Sequence, residues 1–125
     1  MRVLTDTHSL VWALVNPDLL GIEARAAFAE ADVVASVANL WELCLKAGKK
    51  DALLGDPILW WNKYVVRARI PALSIRAADV MILGTLPEIH KDPFDRILVA
   101  QSMAEKIPLV TKDSRLAQYG IPIIW

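Results

Sequence analysis

Apolar residues recur along this chain in two alternating rhythms. Short, continuous apolar or β-branched runs are separated by longer stretches with helical spacing. Arg2 to Thr5 is the first short run. Leu10, Val11, Leu14 and Val15 then recur at helical spacing from Thr7 onward, and Asn16-Pro17 ends that helix. Glu23 to Ala31 reads as a second helix. Val33-Val34-Ala35 is a second strand, closed by Ser36, which is placed to cap a helix from Val37 to Ala47, with Gly48 as its stop. Asp56-Pro57 opens a helix running to about Arg69, since aspartate caps a first turn and proline tolerates its first position. Pro71 to Ile75 predicts a strand and Arg76 to Leu83 a helix. Asp92-Pro93 repeats the cap-and-proline signal for a helix to Lys106. A strand over Ile107–Thr111, a short helix over Asp113–Tyr119 and a last strand over Ile121–Trp125 complete the series.

Five short strands separated by helices predict an α/β fold: a parallel sheet with helices on both faces. Val3-Leu4, Val33-Val34 and Leu109-Val110 are apolar at successive positions, as strands buried on both faces require. No internal repeat or linker-like stretch interrupts the pattern, so residues 1–125 read as one domain.

Composition narrows the function classes. The chain has 125 residues, is 55% hydrophobic and 22% charged, which excludes intrinsic disorder. Fourteen basic and fourteen acidic residues leave no net charge, so a strongly basic nucleic-acid clamp is excluded while a local basic patch is not. One cysteine, Cys44, excludes an internal disulfide framework and a cysteine-rich zinc site, and fits a reducing cytoplasm. No apolar run approaches the ~18 residues needed to span a bilayer. Asp6 and His8 break the apolar stretch that could have served as a secretory signal.

The placement of particular acids carries the chemistry. Asp6 follows the first predicted strand and Asp113 the fourth; Glu42 lies in the helix after the second strand and Asp95 in the first turn of the helix before the fourth. Each has a plain structural reading. Asp6 and Asp113 suit helix caps, Asp92 caps the helix that Pro93 begins, Asp95 suits that helix's dipole, and Glu42 is one turn from Lys46. Together they point elsewhere. In open parallel sheets, ligands bind in the crevice beyond the carboxyl ends of the strands, and Asp6 and Asp113 both fall there. If Glu42 and Asp95 turn toward the same crevice, four carboxylates share a small volume, which demands raised pKa values or a cation. An all-oxygen set favours Mg²⁺, or Mn²⁺, over zinc or copper, and such sites commonly serve phosphate chemistry.

On these residues the chain resembles the PIN-domain ribonucleases, in particular the VapC-like toxins of bacterial toxin–antitoxin pairs. The matching parts are Leu4-Thr5-Asp6-Thr7-His8 with Leu10 and Trp12, and Ser36 with Trp41-Glu42. They continue with His90-Lys91-Asp92-Pro93-Phe94-Asp95-Arg96 with Ala100-Gln101, and Val110-Thr111-Lys112-Asp113. The stretch from His90 is the most specific. Asn39 stands where the family often has serine. The resemblance implies a helix–sheet–helix sandwich around a five-stranded parallel sheet, and a Mg²⁺-dependent endoribonuclease that leaves a 5′-phosphate and a 3′-hydroxyl. It carries the acidic site onto Asp6, Glu42, Asp95 and Asp113. Asp6 and Asp95 are the expected direct metal ligands; Glu42 and Asp113 act directly or through water, one of them orienting or deprotonating the attacking water. It also implies an RNA substrate, a cognate antitoxin, a homodimer and a cytoplasmic setting.

The remaining polar and aromatic residues have competing readings. His8 and His90 read as surface or capping histidines before they read as RNA contacts. Arg96 suits a phosphate or an acid partner equally. Lys46, Lys49, Lys50, Arg67, Arg69, Arg76, Lys112 and Arg115 are the cations available to line a groove. Trp60-Trp61 with Tyr64 read first as core, then as a partner surface. Two other functions compete. A strand-end phosphotransfer protein is disfavoured, because a haloacid-dehalogenase-like phosphatase needs an aspartate where His8 stands and a receiver domain has no place for Glu42. A catalytically silent PIN-fold RNA- or protein-binding module has no need to hold four repelling acids.

Overall fold

Helix-capping side chains set the element boundaries. Asp6 accepts the Ser9 amide at 2.9 Å, Asp56 accepts those of Ile58 and Leu59, and Asp92 accepts those of Phe94 and Asp95. Ser36 and Asn39 form a reciprocal capping box: the Ser36 hydroxyl accepts the Ala38 amide while the Asn39 side chain accepts the Ser36 amide at 2.7 Å. Each satisfies amides that the first helical turn leaves without partners.

The computed structural model describes residues 1–50 and 52–125. The strands are β1 (Arg2–Thr5), β2 (Asp32–Ser36), β3 (Ala72–Leu73), β4 (Leu109–Val110) and β5 (Ile123–Ile124). The helices are α1 (Thr7–Val15), α2 (Ile22–Glu30), α3 (Val37–Lys46), α4 (Pro57–Trp60), α5 (Ala77–Leu83) and α6 (Pro93–Glu105). Short 3₁₀ turns cover Pro17–Leu19 and Ser114–Tyr119. The sheet has five strands in the order β3-β2-β1-β4-β5, all parallel. This is the α/β architecture the sequence predicts.

Strand period two divides the core. Val3 packs with Leu20, Ala24, Ala27 and Val110 on one face of the sheet, while Leu4 packs with Val34, Leu98 and Leu109 on the other. On Leu4's face lies the buried stripe of α6, with α5 against it. A third cluster joins Leu10, Val11, Ala35 and Leu43 to Trp60, Trp61 and Val65. Trp60 and Trp61 are therefore core residues, and the partner-surface reading of that pair does not apply.

The segment after Trp60 departs from expectation. In place of one regular helix to Arg69, α4 passes into a π-helical stretch over Trp61–Val66. Successive residues of an α-helix point ~100° apart, so two adjacent indoles do not readily face one core. The wider turn brings Trp60, Trp61 and Val65 into the same cluster.

Strand order places the crevice. From central β1 the chain moves out to β2 and β3, then returns to the other side for β4 and β5, so the direction switches between β1 and β4. Thr5 is registered with Val110, and the Asp6 amide donates to the Val110 carbonyl at 3.0 Å.

Lys106 closes α6 in the left-handed conformation, with φ of 55°, where glycine is the usual residue. Lys106→Gly is expected to stabilise the fold by about 0.5–1 kcal/mol by removing the Cβ clash of that conformation. Urea denaturation would show it as a higher midpoint at unchanged slope.

Candidate functional site

Beyond the carboxyl ends of β1 and β4 lies a cleft of about 430 Å³ lined by Asp6, His8, Trp12, His90, Asp92, Asp95, Lys112, Asp113 and Arg115. A larger cavity, of about 600 Å³, sits at the amino ends of the strands among Arg2, Asp32, Arg69 and apolar side chains such as Leu14 and Ile70. Size favours the second; the strand-end rule and the concentration of acids favour the first.

Asp6, Asp95 and Asp113 thus meet in one cleft although β1, α6 and the turn after β4 supply them separately. Asp6 is buried, and its cap to Ser9 occupies Oδ1. Asp113 caps the Ser114–Tyr119 turn by accepting the Arg115 amide, and its own amide donates to the buried Thr111 hydroxyl. The capping readings of Asp6, Asp92 and Asp113 hold, and they coexist with the cluster.

Glu42 is not among the lining side chains. It is buried on α3, where the Thr7 hydroxyl donates to Oε1 at 2.5 Å and the Lys46 ammonium donates to Oε2 at 2.9 Å. The pairing with Lys46 is the one the helical spacing suggests. Asn39 extends the chain: its amide nitrogen donates to the Thr7 oxygen at 3.0 Å while its carbonyl oxygen serves the capping box. Glu42 thereby stands behind Asp6 through Thr7, near enough for its charge to bear on Asp95.

Repulsion registers at Asp95. Burial first, then the charges of Asp92, Asp6, Glu42 and Asp113, push its carboxyl from the ordinary 3.8 up to about 7. Burial also raises Asp6, against the hydrogen bonds from Ser9 and Thr111 that favour its charged form. Asp113 goes the other way. The Arg115 guanidinium, which binds both its oxygens at 2.8 and 2.9 Å, holds it well below the usual carboxylate range, with His90 assisting.

The sequence reads His90 as a surface or capping histidine first, and the structure makes it a member of the cleft. Its Nε2 lies 2.9 Å from Asp113 Oδ2 and 3.5 Å from Asp95 Oδ2. These three side chains form a compact group whose ligand-type atoms all fall within 4.8 Å of one another. The Asp92 amide donates to His90 Nδ1 at 3.0 Å, so in the neutral ring the proton sits on Nε2 and points at Asp113. A protonated nitrogen cannot bind a metal. His90 in this state orients Asp113, and the donors free for a cation are carboxylate oxygens.

Arg96 serves neither of its predicted partners. Its guanidinium donates to the carbonyls of Pro87, Leu86 and His90 and to the Tyr119 hydroxyl. Tyr119 in turn accepts the His90 amide at 2.9 Å, so the pair fixes the loop that presents His90. Among the expected groove cations, Lys112 and Arg115 line the cleft, Lys46 pairs with Glu42, and Arg76 pairs with Asp79.

Three comparisons bear on these residues. The description PIN domain matches residues 3–122. Ribonuclease VapC22 of Mycobacterium tuberculosis is 32% identical over 124 residues, covering 96% of this chain and 93% of that protein. Among solved structures, the VapBC2 complex of Rickettsia felis, bound to a DNA fragment from its promoter, aligns with TM-score 0.69 at 16% identity, covering 98% of this chain and 97% of that one. The DNA-bound VapBC of Salmonella typhimurium gives 0.69 at 18% identity, covering 98% and 96%. FitAcB of Neisseria gonorrhoeae gives 0.67 at 16%, covering 97% and 95%.

A carboxyl raised to about 7 binds a proton in the native state that the unfolded chain releases near 3.8, so it makes stability fall as pH rises between those values. Asp95→Asn, which mimics the protonated form, is expected to raise stability above pH 7 by on the order of 2–4 kcal/mol and to leave it unchanged near pH 4. Urea melts of both proteins across that range, without divalent ions, would measure the difference.

Proposed function

The chain belongs to the PIN domain family, and from that premise we propose that it is a divalent-metal-dependent endoribonuclease, the toxin of a toxin–antitoxin pair. The supporting observation is the cluster itself: Asp6, Asp95 and Asp113 line one strand-end cleft, and Asp95 carries the repulsion of every neighbouring acid. Such an arrangement suits a cation.

The donor set fits a hard divalent ion, Mg²⁺ or Mn²⁺, because its open atoms are carboxylate oxygens. Asp6 and Asp95 would be the direct ligands. Asp6 keeps one oxygen outside its cap, and Asp95 has no capping duty, whereas Arg115 holds both oxygens of Asp113. When bound, the ion supplies charge neutralisation and the activation of water for in-line attack on a phosphodiester. Water would add to phosphorus as the P–O3′ bond breaks, the 3′-oxygen taking up a proton and the phosphate staying on the 5′-oxygen of the downstream nucleotide. Lys112 and Arg115 at the cleft rim would take substrate phosphates. Glu42, engaged by Thr7 and Lys46, acts as a positioning group behind Asp6.

VapC22 is named a ribonuclease, and the structural neighbours are complexes such as VapBC. These names support the RNA substrate and the antitoxin partner assigned here. Exposed Trp41 and Leu45 on α3, and Ile58 and Leu59 on α4, offer apolar surface for that antitoxin or for a second copy in a homodimer. Among the described residues no helix is long and apolar enough to cross a membrane.

Incubated with structured and unstructured RNAs, the purified chain is expected to cleave in Mg²⁺ or Mn²⁺ and not in EDTA. Asp95→Asn should lower the rate at least ~100-fold. Gel analysis of fragments and their ends checks both. Bound Mn²⁺ without cleavage of any RNA would instead indicate a silent binding module.

A second outcome concerns Thr7. Thr7→Val takes one hydrogen-bond partner from each of the buried Glu42 and Asn39 side chains and should cost about 1–3 kcal/mol in a thermal or urea melt. It should also weaken Mn²⁺ binding, read by calorimetry.

A further inference from the structure

We propose that His8 and Trp12 form a platform on which a nucleobase of single-stranded RNA stacks beside the acidic cleft; the inference rests on the ribonuclease reading and adds a base-binding subsite to it. Both side chains line the same cleft as Asp6, Asp95 and Asp113. They stand four residues apart on α1, hence one above the other on one helix face, and the Asp6 cap fixes the start of that helix at the acids.

The rings are held, not loose. His8 and Trp12 meet edge to face, with centroids 5.6 Å apart at 64°, and Trp12 meets Trp125 the same way at 6.0 Å and 62°. Trp12 and Trp125 pack against the cluster built on Val3, Leu20 and Ala24, so the aromatic row is anchored in the core at one end. At the other end His8 is exposed. An immobilised aromatic group that reaches water next to a candidate phosphodiester site is the arrangement that single-stranded nucleic-acid readers use, because every base offers a π face. A base must leave its own stack to lie there, which selects unpaired RNA over duplex. Lys112 and Arg115 are in the same cleft to meet the adjoining phosphates.

Stacking and phosphate contact have different signatures. A phosphate contact contributes to the salt dependence of binding, whereas a stacked ring lowers affinity at every salt concentration when it is removed. The experiment measures binding of a short fluorescein-labelled single-stranded RNA to the full chain by anisotropy, in Ca²⁺ and across a salt series, at a pH above the imidazole range. His8→Ala is expected to weaken binding about tenfold with the slope against log salt unchanged, and His8→Phe to restore it. Trp12→Phe should fall between. Arg115→Ala should lower the slope by about one.

Equal affinity of His8→Ala and the unaltered chain would overturn the platform, as would a loss of affinity that His8→Phe fails to restore, which would make His8 a hydrogen-bonding contact. Either result, with Mg²⁺-dependent cleavage intact, removes the subsite alone. Absence of RNA binding and of cleavage by the unaltered chain removes the ribonuclease reading and the subsite together.

Discussion

Like charges drawn into one small volume are the constraint that the site has to satisfy. Asp6, Asp92, Asp95 and Asp113 would disperse if each were free to turn. Three of them cannot, because they are bound to the backbone amides that begin α1, α6 and the Ser114–Tyr119 turn. Helix starts carry partial positive charge and unpartnered donors, so each cap offsets part of the repulsion it helps to create. Asp95 is the acid without that relief, and its carboxyl is pushed up to about 7. The same hydrogen bonds therefore define the element boundaries and hold the acids in place.

Much of this was legible in the chain because capping is local. Asp6, Ser36, Asp56 and Asp92 each announce a helix within a few residues, and proline after Asp56 and Asp92 sharpens two of the boundaries. The alternation of strands and helices predicted a parallel sheet, and with it a crevice beyond the strand ends, but not the strand order. β1 has the expected bounds and β2 runs one residue further at each end, but the last three strands are shorter than expected because apolar character continues past the last ladder bond; Ile107–Thr111 narrows to Leu109–Val110.

What escaped the sequence depended on distant partners. His90 gains its place from Asp113, Asp92 and Tyr119, of which Asp92 alone is near in sequence. The carbonyls that Arg96 clamps belong to a loop with no periodicity to read. The π-helical stretch reflects the need to bury Trp60 and Trp61 together, a tertiary demand. Glu42 illustrates a subtler limit: spacing identified Lys46 as its partner, but not that Thr7, itself held by Asn39, would take its other oxygen behind the open cleft. Asn39, in the place of a familial serine, serves the α3 cap and Thr7 at once, two bonds that a single hydroxyl would not span in the same way.

The central strand, β1, is also the first of the five in chain order. β1 pairs with β2 about thirty residues later, but its other edge waits for β4, and Asp113 follows β4. During synthesis Asp6 therefore leaves the exit tunnel well before Asp95 and Asp113, and the acidic cavity cannot close until they follow. Assembly of the cluster waits for β4, a timing that follows from strand order alone.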